Sequence, residues 1–237
     1  MAEVIPALEC RGLSSGYGEA VVIRHLDLVL RQGETLALLG KNGMGKSTLL
    51  KTVMGYLPAL AGTVRLEGRT ISGLPPQRIA RQAVSYTPQD QALFPDLNVG
   101  DNLRLVVDDE RALRTAVAHV GGYFPFIPDR LTQKAGTLSG GEQKMLLLAR
   151  ALISAPRVML VDEITEGLQP SVVTRLVEVL RVEQRRLGFS LLIVEQNVRF
   201  ALAVADRYAV LKQGEIADLG ASADAGAETR IIDHLRL

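Results

Sequence analysis

The sequence predicts an α/β fold: a mostly parallel sheet flanked by helices, with a small helical subdomain inserted into it. Three observations carry this. Apolar runs at residues 34–39, 158–161 and 190–194 have the length and continuous hydrophobicity of strands buried on both faces. Helical patterns separate these runs, as a parallel sheet requires of its crossovers. Between residue 98 and about residue 133 helical segments dominate, which marks the insertion.

The elements follow in chain order. Residues 20–30 alternate and are apolar-rich, the pattern of a strand. Gln32-Gly33 makes a turn into the buried strand at 34–39, which runs directly into a glycine-rich loop. A helix follows over 46–54, closed by Gly55. Residues 62–71 read as strand and turn, and 84–86 as a short strand ending at Thr87-Pro88-Gln89. Within the insertion, loops are expected at Gly121-Gly122 and from Pro125 to Pro128. Residues 139–153 form a helix, and 172–186 an amphipathic one. Residues 221–227 are small and polar, a loop before a short last helix.

At 237 residues the chain suits a single domain over 1–237, with the insertion at roughly 90–137. A net charge of +1 argues against a protein whose main task is gripping nucleic acid. Cys10 is the sole cysteine, so no internal disulfide can form and a reducing compartment is expected. The N-terminus lacks a basic segment followed by an apolar core, so no signal peptide is expected. No stretch reaches the roughly 18 uncharged apolar residues of a spanning helix, and the most apolar region is broken by Arg150, Pro156 and Arg157. Work at a membrane would therefore be that of a peripheral subunit.

Three motifs carry chemistry. Gly40-Lys41-Asn42-Gly43-Met44-Gly45-Lys46-Ser47, followed by Thr48, matches G-x-x-x-x-G-K-[ST] in its required context of strand, loop and helix. Gly40, Gly43 and Gly45 admit positive φ and close approach to phosphate, and the helix that follows points its positive end there. Lys46 supplies charge to the β- and γ-phosphates, and Ser47 a hydroxyl to Mg²⁺. The second motif is the apolar strand ending in Asp162-Glu163, which delivers two carboxylates to the sheet edge where the glycine loop lies. Asp162 is a candidate Mg²⁺ ligand, and Glu163 a candidate base for in-line attack of water. The third is Leu138-Ser139-Gly140-Gly141-Glu142. Ser139 and Glu142 fit a capping box, and the glycines leave the helix start bare for an anion. Two phosphate cradles in one chain imply a head-to-tail pair of such domains sharing ATP.

These motifs, in this order and spacing, resemble an ABC-type ATPase subunit over nearly the whole chain. The resemblance implies a P-loop NTPase core with an antiparallel β subdomain on the N-terminal side. It implies that Tyr17 stacks on adenine, that Gln89 joins Mg²⁺ and the attacking water to the insertion, and that residues 166–169 lie against a partner. Phe124-Pro125, residues 135–143 and Ile193-Val194-Glu195-Gln196-Asn197 resemble the second ATPase subunit of branched-chain amino-acid importers. Residues 165–170 are closer to the related urea importers. The implied cofactors are ATP and Mg²⁺. The implied partners are a second ATPase, identical or related, two integral membrane permeases and, indirectly, a solute-binding protein, at the cytoplasmic face of the membrane.

Two departures stand out. Gln196 replaces the histidine of most of the wider family. An amide donates a hydrogen bond to γ-phosphate but does not usefully take a proton, so Glu163 remains the base. Ile164 replaces the usual proline after Asp-Glu, which predicts a looser turn. The insertion also reads as short between Leu103 and Gly121. His25, His119 and His234 fall in no motif and read as surface or packing residues, and the arginines of 181–186 as a solvated helix face. A non-transport ATPase of the same fold, in DNA repair or translation, would need a long coiled coil or tandem domains that this sequence lacks.

Overall fold

The computed structural model describes residues 5–89 and 93–236. The N-terminal residues 1–4, and the start of the expected insertion at 90–92, lie outside the described residues.

The chain opens with β1 (Leu8–Tyr17) and β2 (Ala20–Leu30), an antiparallel hairpin, then β3 (Thr35–Leu39) and α1 (Lys46–Val53). After these come β4 (Ala59–Leu66), β5 (Arg69–Thr70), α2 (Pro76–Ala80) and β6 (Val84–Thr87). The insertion holds α3 (Val99–Arg104), α4 (Glu110–Gly121), α5 (Phe126–Asp129) and a 3₁₀ turn at Ala135–Thr137. The core then resumes with α6 (Gly140–Ile153), β7 (Val158–Asp162), α7 (Pro170–Leu187), β8 (Ser190–Glu195) and α8 (Val198–Val204). It closes with β9 (Arg207–Lys212), β10 (Glu215–Ala221) and α9 (Ala227–Arg236).

Two sheets result. One is antiparallel, ordered β2-β1-β4-β5, and supplies the expected N-terminal β subdomain. The other runs β10-β9-β3-β8-β7-β6, and its members are parallel except for the β9–β10 hairpin. Its central strands bury both faces, and the period of two sorts their side chains between two cores. Leu36, Leu38, Val158, Leu160, Leu192 and Val194 join Leu49, Leu50 and Val53 of α1 against the antiparallel sheet. Ala37, Leu39, Met159, Val161, Leu191 and Ile193 face the other way, toward α6, α7 and α8. The glycine-loop helix is therefore clamped between two sheets.

The insertion is tied off at its base. Asn98 bridges Lys134, the Val99 N–H donates to Gln133 O, and the Gly136 N–H donates to Pro95 O. It packs on the core through an apolar cluster shared with α6 and α7, and through a buried polar tie: Glu183 of α7, 0% exposed, bonds Nε2 of His119 and the hydroxyl of Tyr123 from the insertion, and Arg186 on its own helix. Two expectations need correction. The loop expected at 125–128 is a one-turn helix, with Pro125 at its N-cap and Ile127 buried. At Gly121-Gly122 the helix runs through Gly121 and is capped at Gly122.

Candidate active site

The carboxyl ends of β3, β7 and β8 lie side by side, and the loops that leave them build the site. Gly43 and Gly45 take positive φ, 80° and 103°. Gly40 does not, contrary to expectation, and is required for a different reason: a Cβ there would sit 2.8 Å from the Leu211 carbonyl oxygen. A Cβ on Gly45 would lie 2.8 Å from Ile23 Cδ1, so the loop packs directly on β2. Met44 accepts the Gln213 N–H at its sulfur, at 3.3 Å, while Lys41 and Asn42 are exposed. Thr48 is buried, and its carbonyl accepts the Thr52 hydroxyl.

Lys46 opens α1 with its side chain only 3% exposed. Its ammonium donates to the carbonyls of Gly40 (2.7 Å) and Lys41 (3.0 Å) and pairs with Glu163 Oε1 at 2.8 Å. Ser47 donates to Asp162 Oδ1 at 3.2 Å, and the hydroxyl of Tyr86 to Asp162 Oδ2 at 3.4 Å. Burial raises the Asp162 carboxyl above its ordinary value, against the pull of the Ser47 bond.

Adjacent carboxylates on a strand point to opposite faces, yet both of these reach the first turn of α1. Asp162 keeps the alternation and falls on the α1 face with Val158 and Leu160. Glu163 breaks it by adopting φ 45°, with its N–H held by Val194 O at 3.0 Å. The left-handed backbone swings the second carboxylate back to the side of the first. Its Oε2 then accepts from Gln89 Nε2 at 3.2 Å and Gln196 Nε2 at 3.1 Å. Gln196 also donates to Asn42 Oδ1 at 2.7 Å, which ties it to the glycine loop.

The structure thus gathers Lys46, Ser47, Asp162, Glu163, Gln89, Gln196 and Asn42 into one cluster. Tyr17 is 49% exposed at the tip of the β1–β2 hairpin. That hairpin is fixed to α1 by a buried bond of 2.6 Å between the hydroxyls of Ser15 and Thr52. Ser139, Gly140, Gly141 and Glu142 stand apart. Among the described residues no hydrogen bond or ion pair links them to residues 40–48. Both bonds of the capping box are present. Burial opposes ionisation of Glu142, but bonds from Ser139 and the charge of Arg130 hold it below its ordinary range.

Sequence reasoning gave no site role to Tyr86, Lys144 or Glu195, and placed Glu166 only against a partner. Tyr86 braces Asp162 and lies 6.2 Å from the ring of Tyr56. Lys144 donates to the carbonyls of Glu163 and Glu166, so α6 grips the turn after the two acids. Glu166 accepts a second bond from Gln89 at 2.7 Å. Glu195 is buried beneath Thr165. The signal for Glu195 was an ionisable residue closing an otherwise apolar strand. Lys144 gave none, because its partners are backbone carbonyls.

A profile of the ABC transporter family matches residues 23–166. The high-affinity branched-chain amino acid transport ATP-binding protein BraG of Pseudomonas aeruginosa is 37% identical, over 89% of this chain and 91% of its own length. A probable branched-chain amino acid transport ATP-binding protein LivF of Archaeoglobus fulgidus is 33% identical, over 86% of this chain and 88% of its own. The fold is similar to the ATP-binding subunit of an ABC transporter, with a TM-score of 0.84 at 24% identity over 97% of this chain and 98% of that one. It is also similar to an ATP-binding cassette solved as a dimer with ADP and Pi, with a TM-score of 0.82 at 20% identity over 92% of this chain and 100% of that one.

Proposed function

The chain belongs to the ABC transporter family and is an ATPase of that family, and on that premise we propose that it energises a membrane importer of branched-chain amino acids. The observation that carries the hydrolytic part is the Glu163 carboxylate, held among Lys46, Gln89 and Gln196 at 2.8, 3.2 and 3.1 Å. Each neighbour donates to it, so its oxygens are presented as acceptors, as a base for water must be. The substrate part rests on BraG and LivF, whose names are those of branched-chain transport proteins.

ATP sits on residues 40–48, with its phosphates over the N-terminus of α1 and its adenine on Tyr17. Lys46 passes from Glu163 to the β- and γ-phosphates, which frees the carboxylate for the attacking water. Mg²⁺ suits the hard oxygens already in contact there: the Ser47 hydroxyl and the Asp162 carboxylate would hold it, with the amide oxygen of Gln89. When bound, it supplies charge neutralisation to the phosphate oxygens. Gln196 donates to the γ-phosphate from the side on which it now contacts Asn42.

The residues 139–142 of a partner subunit close over the same nucleotide. Their bare helix start and their separation from residues 40–48 support this reading, as does the dimeric state of the similar cassette. Hydrolysis removes the γ-phosphate bridge, and the pair reopens. The motion passes to two permease subunits through the insertion, where a groove of about 690 Å³ runs past Gln89, Phe94 and Gln143. Among the described residues no helix is long and apolar enough to cross a membrane, and the proposed place is peripheral, at the cytoplasmic face. The partner is a related ATPase, with homodimers expected of the isolated chain, and a solute-binding protein delivers the substrate from outside.

A second reading, urea or short-chain amide import, is favoured by the sequence Thr-Glu-Gly-Leu-Gln-Pro at 165–170. Uptake of labelled leucine and of labelled urea, in cells with and without the gene, separates the two. Loss of leucine uptake alone is expected. Loss of urea uptake alone would move the assignment to the second reading.

A further inference from the structure

Glu195 closes β8 with 2% of its surface exposed, and four donors meet its carboxylate. Oε1 accepts the Thr165 N–H at 3.0 Å. Oε2 accepts the Thr165 hydroxyl at 2.9 Å and the Gln196 N–H at 3.3 Å, and the Asn197 N–H also donates to the group. The main-chain carbonyl of the same residue accepts the Gly40 N–H at 3.4 Å. One residue therefore touches the turn after Glu163, the amide residue that contacts Glu163, and the first glycine of the phosphate loop.

The turn it holds is the one that aims Glu163. A non-glycine residue at φ 45° persists only where its surroundings over-determine it. Here the constraints sit on either side. The Glu163 N–H is fixed by Val194 O, and two residues later Thr165 is fixed by both carboxylate oxygens of Glu195. Ile164, between them, packs into the core at 2% exposure. Val194 and Glu195 are consecutive, so the turn is pinned at both ends to one rigid strand without a proline.

We propose that Glu195 is a positioning residue for ATP hydrolysis: its buried carboxylate fixes the left-handed turn that aims Glu163 and holds Gln196 in register with it. It touches neither nucleotide nor water and acts through Thr165 and Gln196. The proposal deepens the reading above, because it rests on Glu163 as the group that activates water.

The test is steady-state ATP hydrolysis by the full chain, with binding of a non-hydrolysable ATP analogue measured in parallel. Glu195→Gln keeps the size but turns an amide donor toward groups that themselves donate. It is expected to lower kcat about 10- to 100-fold, the cost of a misplacement of about 1 Å, with KM and analogue affinity within about twofold. Thr165→Val removes one bond to the carboxylate and is expected to lower kcat about 3- to 10-fold, with Thr165→Ser restoring it. The double variant should be no worse than Glu195→Gln alone, since both break the same tie.

Wild-type kcat in Glu195→Gln, losses that add in the double variant, or analogue binding that weakens in step with kcat would each overturn the proposal. If Glu195→Gln does not fold, the contrast between Thr165→Val and Thr165→Ser decides, and equal rates refute it. A wild-type chain without hydrolysis would take down the reading of Glu163 and this proposal together. Active wild type beside an equally active Glu195→Gln takes down the proposal alone.

Discussion

Glu163→Gln separates the two roles the structure gives that side chain, as base and as ion-pair partner of Lys46. As a base, its loss should slow hydrolysis by about 10²- to 10⁴-fold, which is about 3–5.5 kcal/mol of barrier at 1.36 kcal/mol per decade. As a partner, it sits 2.8 Å from Lys46 with both side chains buried. At an effective dielectric of ~20 that attraction is about 6 kcal/mol. Most of this offsets the desolvation of the two ions, and removing one partner alone typically costs about 3–5 kcal/mol. Lys46 keeps the carbonyls of Gly40 and Lys41, so about 3 kcal/mol is expected, at the lower end of that range. For a chain of this size it lowers Tm by about 6–12 °C. ATP should reverse the deficit, because in the variant the phosphates no longer compete with a carboxylate for Lys46. The assays are phosphate release, melting with and without ATP, and the fraction of closed dimer by size exclusion. Slow hydrolysis, a low melting point rescued by ATP, and dimer accumulation are expected together. A rate within twofold of wild type would refute Glu163 as the base. An unchanged melting point would refute the weight given to the ion pair.

Three further outcomes follow from single features. Cys10 is buried, and burial, with Glu9 and Asp27 nearby, pushes its thiol up to about 12. It should resist thiol reagents at pH 8 until the chain unfolds. Because the unfolded thiol ionises near its ordinary value of 9.0, stability should fall with rising pH from there toward about 12, and Cys10→Ala should reduce that slope, as read by urea melts. Glu183→Ala strips the insertion of its buried tie to α7, leaving His119, Tyr123 and Arg186 without that acceptor. Their partial exposure lets them rehydrate, so the expected loss is about 2 kcal/mol, visible as a Tm about 4–8 °C lower. Gly45→Ala forces a Cβ against Ile23 and Val22 at φ 103°. It should cost more than about 1 kcal/mol of stability by denaturant titration and abolish nucleotide binding.

Much of the architecture was legible because burial on both faces leaves a strand no polar positions. The runs read at 34–39, 158–161 and 190–194 are the strands β3, β7 and β8, each within one residue at either end. β1 was missed because Arg11, Gly12 and Ser14 interrupt its pattern where the strand shifts register against β2 and β4. The β9–β10 hairpin was also missed, although 208–211 is a buried run; Glu215–Ala221, at the sheet edge, alternates half-buried and exposed positions. Within the site, the phosphate loop and the Asp162-Glu163 pair were readable from local spacing. The bond from the Thr165 N–H to Glu195 and the grip of Lys144 join separate segments of the sequence, and in each of these one partner is main chain. A main-chain partner leaves no trace in residue identity. The bonds that hold the turn after Glu163 come from β8 and α6, and the identity of Ile164 does not reveal them.

The amide at position 196 carries the last prediction. Among the described residues, the side-chain groups bonded to the Glu163 carboxylate are Lys46, Gln89 and Gln196. None of the three is a histidine. The histidines are elsewhere: His119 is at the insertion's tie to Glu183, His25 is in β2 and His234 in α9. No imidazole therefore contributes to the wild-type rate through contact with Glu163. Nucleotide ionisation would obscure this in a single profile, but it is common to any two variants assayed alike. The ratio of Gln196→His to wild-type kcat, taken from pH 6 to pH 9, cancels it. That ratio is expected to change along one sigmoid, since the new imidazole gains a proton beside Glu163 as pH falls. A ratio independent of pH would mean that residue 196 does not sense the reacting groups. The contact at 3.1 Å would then be a packing contact, and Glu163 would lose one of its three supports.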